Sequence, residues 1–253
     1  MMPQRIPVVE QWPLTASALD GPICVKSQTD EWPINRLVRS QTLQIVYAEQ
    51  TVNVETQDGT ISSTVGDYFQ LLAKGDGLDT YLKGWTVSNY LSDFAKLPLP
   101  AVFQSWFGDL PHGSRPDWNW IFVGPKGSNS ALHIDVMCSS AWNLLVSGRK
   151  KWLFQSPALA ADAGLLQDSL VVSSGNEARI QYTHIQEPGD VVIVPGGWAH
   201  AVENLDLTVS LTGNWVNSSN AQLVEADLAL HESDPWRQVM ASLRARYQIG
   251  FKI

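Results

Sequence analysis

Basic runs, cysteine pairs and long apolar stretches are all missing from this chain, and each absence closes off a class of function. Lysine and arginine together number 17 against 25 aspartates and glutamates, giving a formal net charge of −8 and a pI near 5.0. Such a surface repels a phosphate backbone, and the one basic cluster, Arg149-Lys150-Lys151, is too short to reverse that, so no nucleic-acid partner is expected. Two cysteines, Cys24 and Cys138, offer no disulfide framework in 253 residues. No apolar run approaches the about 18 residues of a membrane span, and residues 1–6 carry no signal-peptide pattern. A reducing cytoplasm and no membrane partner are the expectation. Histidine is scarce too, with five in all, so the placing of each one is informative.

Two of the five stand in a metal-ligand pattern. In Ala131-Leu-His-Ile-Asp-Val-Met-Cys138 the apolar Leu132, Ile134 and Val136 alternate with His133 and Asp135, so a strand over this segment puts the histidine and the aspartate on one face. The same pleat puts Cys138 on the opposite face from Asp135, as a buried structural thiol. Further on, Glu187-Pro-Gly-Asp190 signals a turn, residues 191–194 an apolar strand, and Pro195-Gly-Gly-Trp-Ala-His200 a second turn that delivers His200. Asn204-Leu-Asp206 then turns the chain into a further alternating strand over 207–214. Two imidazoles and one carboxylate fill three positions of an octahedral ion and leave three open, an arrangement suited to non-haem Fe(II). His184 precedes a turn and reads as structural or surface. His112 lies in a Pro/Gly loop and His231 at an interhelical connection, neither with a matching partner.

The segments Ala131-Leu-His-Ile-Asp135, Ser140-Ala-Trp-Asn143, Gly148-Arg-Lys-Lys-Trp152, Pro188-Gly-Asp190 and Pro195-Gly-Gly-Trp-Ala-His200 together resemble a Jumonji C (JmjC) domain. The likeness is to the small JmjC lysyl hydroxylase type and runs from His133 through Trp152 and from Pro188 through Asn214. It implies a mainly β fold, a double-stranded β-helix (cupin-like jelly roll), that binds Fe(II) and 2-oxoglutarate and consumes O2. By the resemblance His133, Asp135 and His200 are the iron ligands, and Lys150 pairs with the distal carboxylate of 2-oxoglutarate. Tyr81, Asn143 and Thr212 hydrogen-bond that cosubstrate, Asn214 lines the same pocket, and Ser130 stands where a threonine is found in similar enzymes. The cation is also chemically apt, since a 2-oxo acid chelates with one end and needs a positive charge at the other. Lys150 and Lys151 point to opposite faces of their strand, so one of them is expected to reach solvent.

The implied reaction is hydroxylation of a carbon on a protein or peptide side chain, with a basic residue favoured by the acidic balance of the chain. Two alternatives stay open: the same chemistry on a free amino acid or a small natural-product intermediate, and a cupin-type metalloprotein that does not use 2-oxoglutarate. N-methyl demethylation ranks below hydroxylation.

The length suits one compact catalytic unit. Residues 1–110 read as supporting elements, 111–217 as the barrel, and 218–253 as C-terminal helices. Strands are expected over 21–26, 43–47, 52–55, 120–123 and 180–185. Helices are expected over 87–94 and 157–166, with a third, capped by Thr64, carrying Tyr68, Leu71 and Leu72. The C-terminus reads as one helix over 221–230 and another starting at Asp234-Pro235. Trp236, Val239, Met240, Leu243 and Tyr247 fall on one face of the latter. That stripe must pack on the domain or on a second copy, and the resemblance implies a homodimer.

Overall fold

A computed structural model describes residues 2–12, 19–26, 42–86, 99–162, 180–231 and 233–249 of the chain. Eight strands make the barrel. β7 (Asn119–Gly124), β9 (Ser140–Ser147), β12 (Asp190–Val194) and β14 (Thr208–Trp215) lie in one sheet, and β8 (Asn129–His133), β10 (Lys150–Gln155), β11 (Tyr182–Gln186) and β13 (Ala199–Asn204) in the other. Their orders are β12-β9-β14-β7 and β11-β10-β13-β8, so successive strands alternate between the two sheets except at β10 and β11, which pair in one. That is the double-stranded β-helix.

The N-terminal part extends both sheets. β2 (Val8–Val9) and β3 (Ile23–Lys26) add to the β12 edge of the large sheet. β4 (Thr51–Thr56), β5 (Gly59–Thr64) and β6 (Tyr81–Thr86) add to its β7 edge, and β1 (Gln4–Arg5) to the small sheet. The segment expected as a strand over 43–47 is instead a helix, α1 (Thr42–Val46). It packs against the helix that follows β5 and does not extend the sheet, which ends at β5. Helix α2 (Val65–Ala73) starts where the capping signal puts it, with Thr64 Oγ1 accepting from the Asp67 amide at 3.1 Å. The expected helix over 87–94 lies outside the described residues, and that over 157–166 is described as α3 (Pro157–Asp162).

Burial follows the pleat. On β12, Val191 and Ile193 enter the main core with Trp142, Leu144, Val209 and Leu211, whereas Val192 and Val194 enter a second core with Cys24, Trp152 and Phe154. A strand packed on both faces must be apolar throughout, which is why 191–194 lacks alternation. Gly148 closes the β9–β10 turn at φ +75°, and a Cβ there would strike the backbone of Leu207. The position therefore requires glycine twice over.

Helices α4 (Ala221–Leu230) and α5 (Asp234–Ile249) close the C-terminus. The apolar stripe of α5 is covered within the chain: Trp236, Val239, Met240, Leu243 and Tyr247 pack with Trp106, Phe107, Val216, Val224 and Leu228. Tyr247 stacks on Trp106 at 4.8 Å between centroids. Arg244 pairs with Glu225 across the two helices.

Candidate metal centre and cosubstrate pocket

Strand β8 ends at His133, well short of Cys138, where the alternating segment ends. Between it and β9 the chain must cross from one sheet to the other, and it does so through a tight turn at Val136–Cys138 in which Met137 (φ 55°) and Cys138 (φ 50°) are left-handed. Asp135 precedes that turn with extended backbone (φ −63°, ψ 154°), so it still projects to the same side as His133. Cys138 does not follow the pleat. It is only partly buried, and its thiol faces Asp227 Oδ1 of α4 at 3.7 Å.

His200, on β13, is the register partner of His133 across the small sheet, and their rings lie 4.3 Å apart. One donor atom from each of His133, Asp135 and His200 lies within 4.8 Å of the others. Both imidazoles are oriented alike: Nδ1 of His133 meets the carbonyl of Ala131 at 2.7 Å, and Nδ1 of His200 that of Trp198 at 3.3 Å. A carbonyl can only accept, so each Nδ1 carries the proton and each Nε2 presents a lone pair. Those Nε2 atoms face Asp135, at 3.8 Å from Oδ1 and 4.0 Å from Oδ2. Oδ2 is buried without a hydrogen-bond partner, an expensive state for a carboxylate oxygen unless a cation completes it. Burial, reinforced by the neighbouring His133, drives the His200 imidazole down to about 4. At neutral pH it is a free base, the form a metal takes.

The centre opens on a cavity of about 750 Å³. All nine residues singled out from the sequence line it: Tyr81, Ser130, His133, Asp135, Asn143, Lys150, His200, Thr212 and Asn214. Lys150 is 1% exposed, while Lys151, its outward neighbour, is partly exposed. The Lys150 ammonium donates to the Tyr81 hydroxyl at 3.2 Å. Desolvation, with the like charge of Lys83 nearby, pulls Lys150 down to about 7, and desolvation pushes the Tyr81 phenol up to about 12. Asn143, the register partner of Thr212, holds Oδ1 buried and unpartnered. Thr212 Oγ1 donates to the Trp142 carbonyl at 2.8 Å, and Asn214 Nδ2 to Ser139 Oγ at 2.9 Å. Ser130 sits on β8 opposite Val202.

Trp152, which ends one of the segments that carry the family resemblance, places its ring 5.7 Å from that of His200 and anchors its Nε1 on Gln186 Oε1 at 2.8 Å. Sequence reasoning missed other parts of the lining. Lys83, paired with Glu55 at 2.8 Å, shares the cavity with Tyr81, and their period-two spacing on β6 was a usable signal. His231 also lines the cavity and lies 3.8 Å from Asp227 Oδ1, one helical turn away; the absence of a sequence-adjacent partner hid that i,i+4 pair. His184 is buried on β11 and does not line the cavity.

Comparison with known proteins agrees with this geometry. The family profile "JmjC domain, hydroxylase" matches residues 167–215. The chain is 31% identical over 193 residues to the 2-oxoglutarate and iron-dependent oxygenase JMJD4 of Danio rerio, covering 68% of this chain and 46% of that protein. It is 29% identical over 233 residues to the lysine-specific demethylase JMJ21 of Arabidopsis thaliana, covering 82% and 24%. Against the arginine-specific demethylase JMJ20 of the same plant it is 27% identical over 213 residues, covering 69% and 46%. The chain thus spans less than half the length of these relatives. The profile ends at Trp215, the last residue of the strand that carries Thr212 and Asn214, and the relatives align over most of the rest, so the fold and its residue pattern have one origin: the chain belongs to the JmjC-domain family.

Proposed function

We propose that the chain is an Fe(II)- and 2-oxoglutarate-dependent oxygenase that hydroxylates a carbon of a basic protein or peptide side chain. One observation carries the reading: a single cavity joins a two-imidazole, one-carboxylate cluster to a buried lysine that donates to the Tyr81 hydroxyl. His133, Asp135 and His200 would hold the metal, and the bare Oδ2 of Asp135 and the inward-facing Nε2 atoms fit a divalent cation. Bound there, Fe(II) supplies O2 activation, in which one oxygen atom goes to 2-oxoglutarate, giving succinate and CO2, and the other into a C–H bond of the substrate.

The chain's own residues do the rest. Lys150 would take the distal carboxylate of 2-oxoglutarate, regaining the charge that burial weakens, with Tyr81 as a second donor. Asn143, Thr212, Ser130 and Asn214 would orient the remainder, and Trp120, Phe122 and Trp152 keep water from the walls. A cupin that used no 2-oxo acid would have no use for a buried lysine at this depth, since an unpaired buried ammonium is costly.

For the substrate, the net charge of −8 and the carboxylates of Glu55 and Asp227 in the cavity wall favour a cation. The names of the two Arabidopsis relatives support lysine or arginine as the target, and they favour N-methyl removal as a second reading of the same chemistry. Mass spectrometry of lysine- and arginine-bearing peptides and their N-methyl forms decides between them: the proposal expects a gain of one oxygen that depends on 2-oxoglutarate, whereas demethylation gives loss of a methyl group. Succinate release stimulated by neither kind of peptide, but by an acidic metabolite or RNA, would overturn the substrate assignment.

Residues 1–110, 111–217 and 218–253 would act as one catalytic unit, since the N-terminal strands extend both barrel sheets. We assign it to the cytoplasm, whose reducing conditions suit Fe(II) and two thiols. Among the described residues no helix is long and apolar enough to cross a membrane. A homodimer through the C-terminal helices would use Leu223 and Leu230 of α4, which are exposed, rather than the covered stripe of α5.

A further inference from the structure

We propose that Cys24, His184 and Asp190 form a second metal site, for a divalent cation of the zinc class, that clasps β3 and β12 of the large sheet to β11 of the small one. The inference is independent of the oxygenase reading, because none of the three residues lines the cavity.

Topology brings them together. Cys24 lies opposite Val192 and Lys26 opposite Asp190 in the β3–β12 pairing, and His184 lies opposite Trp152 in the β10–β11 pairing. All three residues are buried, at 0%, 8% and 3% exposure, and one donor atom of each lies within 4.8 Å of the others. Metal bonds of about 2.0–2.3 Å set tetrahedral donors roughly 3.3–3.8 Å apart, so closure asks for about an ångström of side-chain adjustment. A thiolate, an imidazole and a carboxylate are a borderline-soft set, which prefers zinc to magnesium or calcium.

Two further features point to a ligand. Nε2 of His184 is buried with no hydrogen-bond partner, and a nitrogen so placed calls for something to fill the gap. Asp190 already meets both kinds of neighbour a metal site needs: Lys26 Nζ reaches Oδ2 at 2.7 Å, the Glu187 amide reaches the same atom at 3.1 Å, and the Cys24 thiol hydrogen-bonds the carboxylate. A metal that displaces the thiol proton takes the place of that last bond. The Lys26 side chain is 40% exposed, so its ammonium withdraws into solvent without leaving a buried charge, and water entering on that side supplies the fourth position.

The step balances simply. M²⁺ displaces the thiol proton of Cys24, which passes to solvent, while Asp190 is already a carboxylate and His184 a neutral base. Burial and the Asp190 charge push the Cys24 thiol up to about 12, so the proton leaves only when the metal takes its place. The charged groups facing the cluster are Lys26, Arg5 and Glu187 besides Asp190 itself.

Cobalt(II) tests the site on the full chain, because the His133, Asp135, His200 cluster contains no sulfur. Titrating metal-free protein with Co(II) should load two equivalents, one of which brings a near-ultraviolet thiolate-to-cobalt charge-transfer band that Zn(II) then abolishes. Cys24→Ser and His184→Gln should each lose the band and one equivalent, whereas Asp135→Ala loses the other equivalent and keeps the band. Zinc at about a hundredfold excess over its Kd should raise the Tm of the Asp135→Ala protein by roughly 5–10 °C. A single equivalent with no band overturns the proposal. So does a band that survives in His184→Gln or vanishes in Cys138→Ser, since either traces it to a thiol acting without this cluster. Should Cys24→Ser fail to fold, His184→Gln carries the test.

Discussion

Two clusters of three residues, each with a histidine and an aspartate, stand in contrasting surroundings. At His133, Asp135 and His200 the two imidazoles are each pinned by a backbone carbonyl two residues back, one carboxylate oxygen is bare, and the whole opens on about 750 Å³ of space. At Cys24, His184 and Asp190 the imidazole has an unpartnered buried nitrogen, the carboxylate is capped by Lys26, and no residue touches the cavity. A site that performs chemistry fixes its ligands beforehand and keeps room for reactants. A site that only ties strands together needs neither, and its ligands are free to be buried where the sheets meet.

The widest separation between the two is expected from Asp135→Ala. It removes the one anionic donor of the open cluster, so iron binding and turnover should fall by more than about a hundredfold, in line with losses reported for residues that act as a unit. Metal analysis and succinate release measure this, and an Asp135→Ala protein with wild-type activity would refute the assignment of the open cluster as the iron site. Next in size is Lys150→Ala. A charge-assisted hydrogen bond to a carboxylate in a desolvated pocket contributes on the order of 1.5–3 kcal/mol, so the 2-oxoglutarate requirement should rise at least about tenfold. Lys151→Ala, on the outward face, should leave it unchanged. If both variants keep the wild-type constant, the cation lies elsewhere, with Lys83 the first to test, since it already lines the cavity.

How far these clusters were legible in the sequence differs for a physical reason. His133, Asp135 and His200 announce themselves because local signals place them: alternation on β8, and two Gly-containing turns before β13. Even there the alternation overran the strand, since nothing in 131–138 tells that the chain must leave its sheet after His133. Lys150 was singled out by the family resemblance, since the Ser147-Gly148 turn alone reads as an ordinary hairpin followed by a surface lysine. The cluster at Cys24 was invisible because its members come from strands whose pairing, β3 with β12, is set by sheet order and not by any local pattern. For the same reason 43–47 read as a strand: its apolar residues fit a pleat as well as they fit the helix that packs on α2, and only the tertiary arrangement decides between them. The i,i+4 pair of Asp227 and His231 needed no long-range knowledge, but it signals a site only once α4 is known to flank the cavity.

The smallest effect concerns pH, and it sharpens the contrast because the open site has a buried cation brought down to near neutrality. In the protein without cosubstrate, burial and the like charge of Lys83 pull Lys150 down to about 7, with Tyr81 and the Lys83–Glu55 pair as the other ionisable groups of that wall. A bound carboxylate favours the charged ammonium, so the lysine has a higher pKa in the complex than in the free protein. The sign follows: below about pH 7 the ammonium is already present and affinity for 2-oxoglutarate is complete, and above it each binding event must take up a proton. Between pH 7 and 8 the protonated fraction of the free protein falls from about a half to about a tenth, so affinity should drop roughly fivefold, levelling off only at the pKa of the complex. Calorimetry in two buffers of different ionisation enthalpy reads the proton directly, at constant Mn(II) in place of iron. Lys150→Met should abolish both the uptake and the slope. Equal affinities at pH 7 and 8 with no proton taken up by the wild type would show that Lys150 keeps its charge in the empty pocket, and that its burial is matched by a partner stronger than the Tyr81 hydroxyl.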